Sequence, residues 1–171
     1  NVIAFLPGEN THEYVIIGAH YDHLGTEKQR DKTVIYHGAD DNASGTAAVM
    51  EIARALGNLK DRGYRLQRNI VIALWGAEEM GSRGSRHFVE SKSLPHESII
   101  AVLTLDMVGR NDPAFLIAIG AEEPLKFPYR NPMLSSVLTE ENKKLVRPFT
   151  ISFDDGGLGV FWRVDAYSFY L

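Results

Sequence analysis

A three-layer α/β fold, with helices on both faces of a central sheet, is the architecture this 171-residue chain predicts. Three observations predict it. Apolar runs that read as strands alternate with segments of helical periodicity, the pattern of an α/β domain. One of those runs, Asn69–Trp75 (NIVIALW), is continuously apolar, as a strand covered on both faces must be. Residues able to bind cations or move protons gather where such runs stop, at His20, Glu78, Glu79 and Asp106. Open α/β sheets place their sites at the carboxyl ends of strands. The length suits one domain, residues 1–171, that buries about two thirds of the surface its unfolded chain exposes.

The elements follow in order. Val2–Leu6 and Glu13–Ala19 are apolar and rich in β-branched residues; the turn-forming stretch PGENTH separates them, so they read as a hairpin. Gly25–Thr33 is polar and charged and reads as a surface loop. A long helix starts at Ala43, where Asn42 or Ser44 can cap it. Ala48, Val49, Ile52, Ala53, Leu56 and Leu59 recur at helical spacing, and the helix ends near Gly63. Lys60, Arg62, Arg65 and Arg68 cluster at that end, where cations complement the helix dipole and stay solvated. After the strand Asn69–Trp75 come a second helix over Gly81–Ser91 and a buried strand over Ile99–Leu105. A turn at Asn111–Pro113 precedes a shorter strand, Phe115–Ile119. A third helix covers Met133–Leu145, and Asp154–Gly159 is a glycine-rich loop without a nucleotide-binding fingerprint.

Composition removes several classes of function. The chain is 44% hydrophobic and 23% charged with a net charge of −4, so nothing recommends a nucleic acid or an anionic membrane as partner. Without cysteine there are no disulfides and no thiolate metal ligands, and the compartment stays open. No apolar run approaches the ~20 residues of a membrane span. Asn1 leads almost directly into VIAFL with no starting Met, and the chain stops on the apolar FYL. Both ends are therefore expected to be cut from something longer.

The candidate chemistry lies in four places. A histidine ending a strand, like His20, is more often a satisfied polar residue than a ligand. Asp22 two positions on can fix its tautomer, as carboxylates do behind metal-bound histidines. Asp40 and Asp41 in GADDNASG precede a helix; Asp40 reads equally as a helix-start acid or a site residue. Asp41 reads as a ligand able to bridge two cations. Glu78 and Glu79 follow an apolar strand, where two carboxylates repel each other and lose solvation unless a cation compensates. One can bind metal while the other faces substrate as a general base. Asp106 ends the buried AVLTL run, and a cation explains it better than solvent does.

Together GAHYDHLG, GADDNASGTAAVMEIARAL, ALWGAEEMGSRGS and LTLDMVGRND resemble the co-catalytic di-zinc aminopeptidases. That family includes the secreted bacterial leucyl aminopeptidases, glutamate carboxypeptidase II, glutaminyl cyclase and the transferrin receptor ectodomain. The resemblance implies a three-layer α/β/α sandwich with a mixed, mostly parallel sheet, two Zn2+ per chain, a peptide or amino-acyl substrate and a secreted or periplasmic location. It implies His20, Asp41 and Asp106 as ligands of one zinc, Asp41 as the bridge and Glu79 as a ligand of the second. Glu78 takes the place of the general base, Asp22 that of the partner of the first histidine, and a cis peptide is implied after Asp41. In the stretch FWRVDAYSFYL, Ala166 stands where the resemblance expects a final histidine. One or two zinc ions are therefore expected here, with the second site impaired. His23 and His37 flank the site in sequence but are not read as substitutes, and His12, His87 and His96 read as surface residues. A non-catalytic binding homologue, or another metallohydrolase such as a carboxypeptidase or amidase, remains the competing reading; oligomeric state is left open.

Overall fold

The computed structural model describes residues 1–110, 114–119, 132–154 and 159–170. They fall into two compact units, one of residues 1–109 with 164–169, the other of 110–163 with Tyr170. In the first unit the strands are β1 (Val2–Leu6), β2 (Asn10–His20), β3 (Thr26–Gln29), β4 (Lys32–Ile35), β5 (Arg68–Trp75) and β6 (Ile99–Thr104). Two helices join them, α1 (Ala43–Asp61) and α2 (Arg83–Glu90). The main sheet runs β1-β5-β2-β6. β2 lies parallel to both β5 and β6, and β1 is antiparallel to β5, so the sheet is mixed and mostly parallel, as expected.

Strand order explains where the helices go. From β2 the chain crosses through α1 to β5 on one side, then returns through α2 to β6 on the other. Right-handed crossovers in opposite directions put the two helices on opposite faces. The side chains of β5 divide accordingly. Val71, Ala73 and Trp75 join Ile16, Phe88 of α2 and Phe169 in one buried cluster. Ile70, Ile72 and Leu74 join Ala19 with Val49 and Ala53 of α1 in the other. Alternation along one strand thus feeds two cores, which is why NIVIALW has no polar face. The first cluster is built on Trp75, whose ring lies 5.3 Å from Phe88 and 5.8 Å from Phe169, centroid to centroid. Phe169 ends a short 3-10 helix, Asp165–Phe169. Each large apolar side chain buried this way contributes about 1.5–3 kcal/mol.

Two expectations are corrected. β1 and β2 run antiparallel to each other but do not pair, because β5 lies between them. PGENTH does reverse the chain. However, Glu9 and Asn10 donate their amides to Leu66 and Gln67 just ahead of β5, which threads that strand into the gap. Gly25–Thr33 is not a loop throughout: β3 and β4 pair as an antiparallel hairpin, Thr26 opposite Ile35 and Gln29 opposite Lys32. Its polar sequence lacks the alternation that marks a half-buried strand, because most of the hairpin is exposed.

The basic cluster after α1 is solvated and partly ion-paired: Arg65 meets Glu9 at 3.2 Å and Arg68 meets Glu13 at 2.7 Å, all exposed. Such pairs add little stability. In the second unit β7 (Phe115–Ile119) and β8 (Thr150–Asp154) pair in parallel, and α3 covers Pro132–Lys143. The Asn142 amide donates to the Phe149 carbonyl and accepts from the Phe149 amide, both at 2.8 Å. The Asn111–Pro113 turn and residues 155–158 of the glycine-rich loop lie outside the described residues. No helix among the described residues is long and apolar enough to cross a membrane.

Candidate metal centre

His20 ends β2, the central strand, directly beside Trp75 of β5, and it is 1% exposed. A buried imidazole needs both nitrogens engaged. Its Nδ1 donates to the Asp22 main-chain carbonyl at 3.0 Å, leaving Nε2 as the free donor atom facing the crevice. The tautomer is thus fixed by the carbonyl of Asp22, whose carboxylate stands 3.9 Å from Nδ1. That carboxylate instead accepts the amides of Glu78 and Glu79, at 3.0 and 3.3 Å.

Asp41 is brought in by the start of α1. Asn42 caps that helix, its Oδ1 accepting the Gly45 amide at 3.0 Å and the Met107 amide at 3.3 Å. Its Nδ2 donates to the Leu105 carbonyl at 3.0 Å. One buried side chain therefore ties the helix start to the segment after β6 that carries Asp106. The approach is close: a Cβ on Gly45 would lie 2.2 Å from the Leu105 oxygen, so only glycine fits. The Asp41–Asn42 peptide is cis, as the resemblance implies. Asp40 has a holding role, its Oδ1 accepting the Gly109 amide at 2.8 Å.

The expected ligands meet. His20 Nε2 lies 3.2 Å from Asp41 Oδ1, 3.5 Å from Asp106 Oδ1 and 4.0 Å from Glu78 Oε2. Asp106 Oδ1 is buried and makes no hydrogen bond. Two donors bound tetrahedrally at 2.0–2.1 Å from one zinc stand about 3.3 Å apart, so these separations fit a cation among His20, Asp41 and Asp106. A second group, His23, Asp41 and Glu79, gathers beside the first. His23 Nδ1 is 2.7 Å from Glu79 Oε1 and 3.8 Å from Asp41 Oδ2. Asp41 thus turns one oxygen to each group, the arrangement a bridging carboxylate requires.

The surrounding charge is uneven. Burial alone would depress the His20 imidazole, but the Asp106 carboxylate facing it, with Glu78 and the Asp22 carbonyl, raises it from 6.5 to about 9. Burial raises Glu78 from 4.5 to about 7; His20 opposes that shift, while Asp165, Asp106 and Glu79 add to it. A carboxyl poised there suits a general base. Ser82 donates to Glu78 Oε1 at 3.4 Å. Ala77, Ser82 and Met107, which flank the carboxylates, all have left-handed backbone with φ of 50–58°. Strain of this kind gathers at functional sites.

Two residues escaped the sequence reading. His23, which directly follows Asp22, is not read from the sequence as a ligand, yet it faces Glu79 and Asp41. Asp165 carried no signal beyond one apolar neighbour on each side. It is 1% exposed, and neither of its oxygens makes a hydrogen bond of normal geometry. Burial pushes it from 3.8 to about 6; the nearby Ser85 hydroxyl and His20 oppose that, and Asp106 and Asp22 reinforce it. Ala166 follows it in the 3-10 helix and offers no donor. His12, His37 and His87 are exposed, and His96 is engaged with the Phe169 carbonyl at 3.0 Å.

Over 110 residues the chain is 40% identical to aminopeptidase NAALADL1 of Mus musculus, which spans 63% of this chain and 13% of that protein. It is 32% identical over 151 residues to a probable glutamate carboxypeptidase of Arthroderma benhamiae, covering 87% of this chain and 18% of the relative. Superposition on the crystal structure of LapA from Legionella gives a TM-score of 0.66 at 26% identity, over 91% of this chain and 38% of that one. The chain therefore spans less than a fifth of those two relatives and under half of that structure. The model of peptidase family M28 matches residues 1–169. A match of that extent, on a chain whose four motifs converge in space, means that this chain belongs to peptidase family M28.

Proposed function

We propose that the protein is a zinc-dependent aminopeptidase that removes N-terminal residues from peptides. The observation carrying this is the pair of donor groups sharing Asp41, with the Glu78 carboxylate beside them, 4.0 Å from His20 Nε2. His20, Asp41 and Asp106 would hold the first ion; Asp41 and Glu79 would contribute to a second. Histidine and carboxylate donors suit zinc. Bound there, the ions would supply positive charge that acidifies water and polarises a scissile carbonyl.

The chain's own residues supply the rest. Glu78, close to pH 7 in affinity for a proton, takes one from the attacking water on a carboxylate oxygen and returns it to the leaving amine. Asp22, accepting the Glu78 and Glu79 amides, holds both carboxylates in register. Ala166 offers the second ion no donor, so Asp41 and Glu79 by themselves would hold it more weakly than the first.

Glu78→Gln tests the base. Zinc stoichiometry by calorimetry should be unchanged, while cleavage of a leucine anilide should fall by about 10²–10⁴-fold. Turnover like the parent's would remove Glu78 from its role. The similarity to a probable glutamate carboxypeptidase favours a second reading, action at the other end of the peptide. Release of a C-terminal glutamate from an N-acylated peptide, with leucine anilide untouched, would replace the first reading by the second.

A further inference from the structure

We propose that His23 is the third protein ligand of the second cation, joining Glu79 and Asp41; this rests on the metallopeptidase reading above. The donor atoms are already assembled. His23 Nδ1 stands 2.7 Å from Glu79 Oε1 and 3.8 Å from Asp41 Oδ2, values on either side of the ~3.3 Å between donors of one tetrahedral zinc. Asp41 uses Oδ1 toward His20 and Oδ2 toward His23, so the second group needs no oxygen belonging to the first. One imidazole and two carboxylates give three donors with a position left open, the composition of a catalytic zinc.

The ring is held in place from outside the cluster. Gly38, with φ of 64°, packs on it so closely that a Cβ there would fall 2.9 Å from His23 Cβ and 3.0 Å from Cγ. The Tyr36 ring meets it edge-on at 6.4 Å, and the Tyr36 hydroxyl donates to Glu27 of β3 at 2.7 Å. Tyr36 and Gly38, in the segment after β4, thus back His23, and Tyr36 is itself tied to β3 through Glu27. Holding an imidazole in one orientation is what an outer shell does for a metal ligand. Among the described residues the remaining histidines are exposed or, like His96, engaged elsewhere.

Two measurements on the purified protein test this. Zinc alone is titrated by calorimetry into the parent and into His23→Ala. The parent should bind two ions, one tighter than the other. His23→Ala should keep the tight ion, which also reports that the fold survives, and lose more than about tenfold in affinity for the second. His23→Cys is then loaded with cobalt. The chain has no cysteine, so a near-ultraviolet thiolate-to-cobalt band can arise only at position 23, and it should grow with the second equivalent. Two ions bound to His23→Ala with parental affinities, no thiolate band in the cobalt-loaded variant, or a single ion in the parent would each overturn the assignment and leave the metallopeptidase reading standing. No zinc on the parent at all would overturn both.

Discussion

Asp22 acts through both its main chain and its side chain, and the two roles can be separated by mutation. Its carbonyl accepts from His20 Nδ1, a contact that any residue at position 22 retains. Its carboxylate accepts two consecutive amides, those of Glu78 and Glu79, and charge-assisted bonds are about twice as strong as neutral ones. Asp22→Ala should leave both amides unpaired in a half-buried site, at roughly 1–3 kcal/mol for each group. It should also weaken zinc about 10–100-fold, as loss of an outer-shell partner does. Asp22→Asn keeps one acceptor but turns an NH2 toward the other amide, so it should fall between. Urea unfolding and zinc calorimetry on the pair check the order; an alanine variant with parental zinc affinity would show that the Glu78–Glu79 turn holds itself.

At the scale of elements, the site depends on the seating of α1 against the end of β6. Asn42 makes two hydrogen bonds across that seam and a third that caps α1, while 1% exposed. Asn42→Ala should unpair the Leu105 carbonyl and the Met107 amide, destabilise the fold by several kcal/mol and lower zinc affinity in parallel, because Asp41 and Asp106 are fixed by the same contacts. Destabilisation with zinc affinity intact would mean that the spacing is set elsewhere. Gly45→Ala should be worse still, since the obstacle at 2.2 Å is a main-chain oxygen that no side-chain rearrangement can move. The sequence made much of this element visible: the apolar spacing from Ala48 to Leu59, the cap at Asn42 and the acid at Asp41. Strands β5 and β6 were visible as apolar runs, and with them the ends that carry Glu78, Glu79 and Asp106. What stayed hidden was long-range. The turn before β2 says that the chain reverses but not that β5 will fill the gap, and the exposed β3–β4 hairpin has no apolar face to betray it. His23 and Asp165 have no local signature, because each acquires its meaning only from carboxylates that lie far away in the chain.

At the scale of the molecule, the cluster makes the metal-free protein sensitive to alkali. His20 rises from 6.5 to about 9, Glu78 from 4.5 to about 7, and Asp165 from 3.8 to about 6. All three shifts are upward; the folded state therefore binds more protons than the unfolded one, and stability falls as pH rises through the shifted range. The carboxyl contributions are fully present below about pH 4 and vanish by about 7. The His20 contribution is intact below 6.5 and is lost as pH passes 9. With a chelator present, the melting temperature should therefore fall from pH 6 to pH 9. A bound cation supplies the positive charge that the proton provided, and its ligands must be deprotonated, so zinc should bind with release of protons and raise the melting temperature most at the alkaline end. Thermal melts at several pH values, with chelator and with saturating zinc, measure both slopes. A chelated protein that grew more stable toward pH 9 would show that His20 and its carboxylates do not share the buried proton that their distances imply.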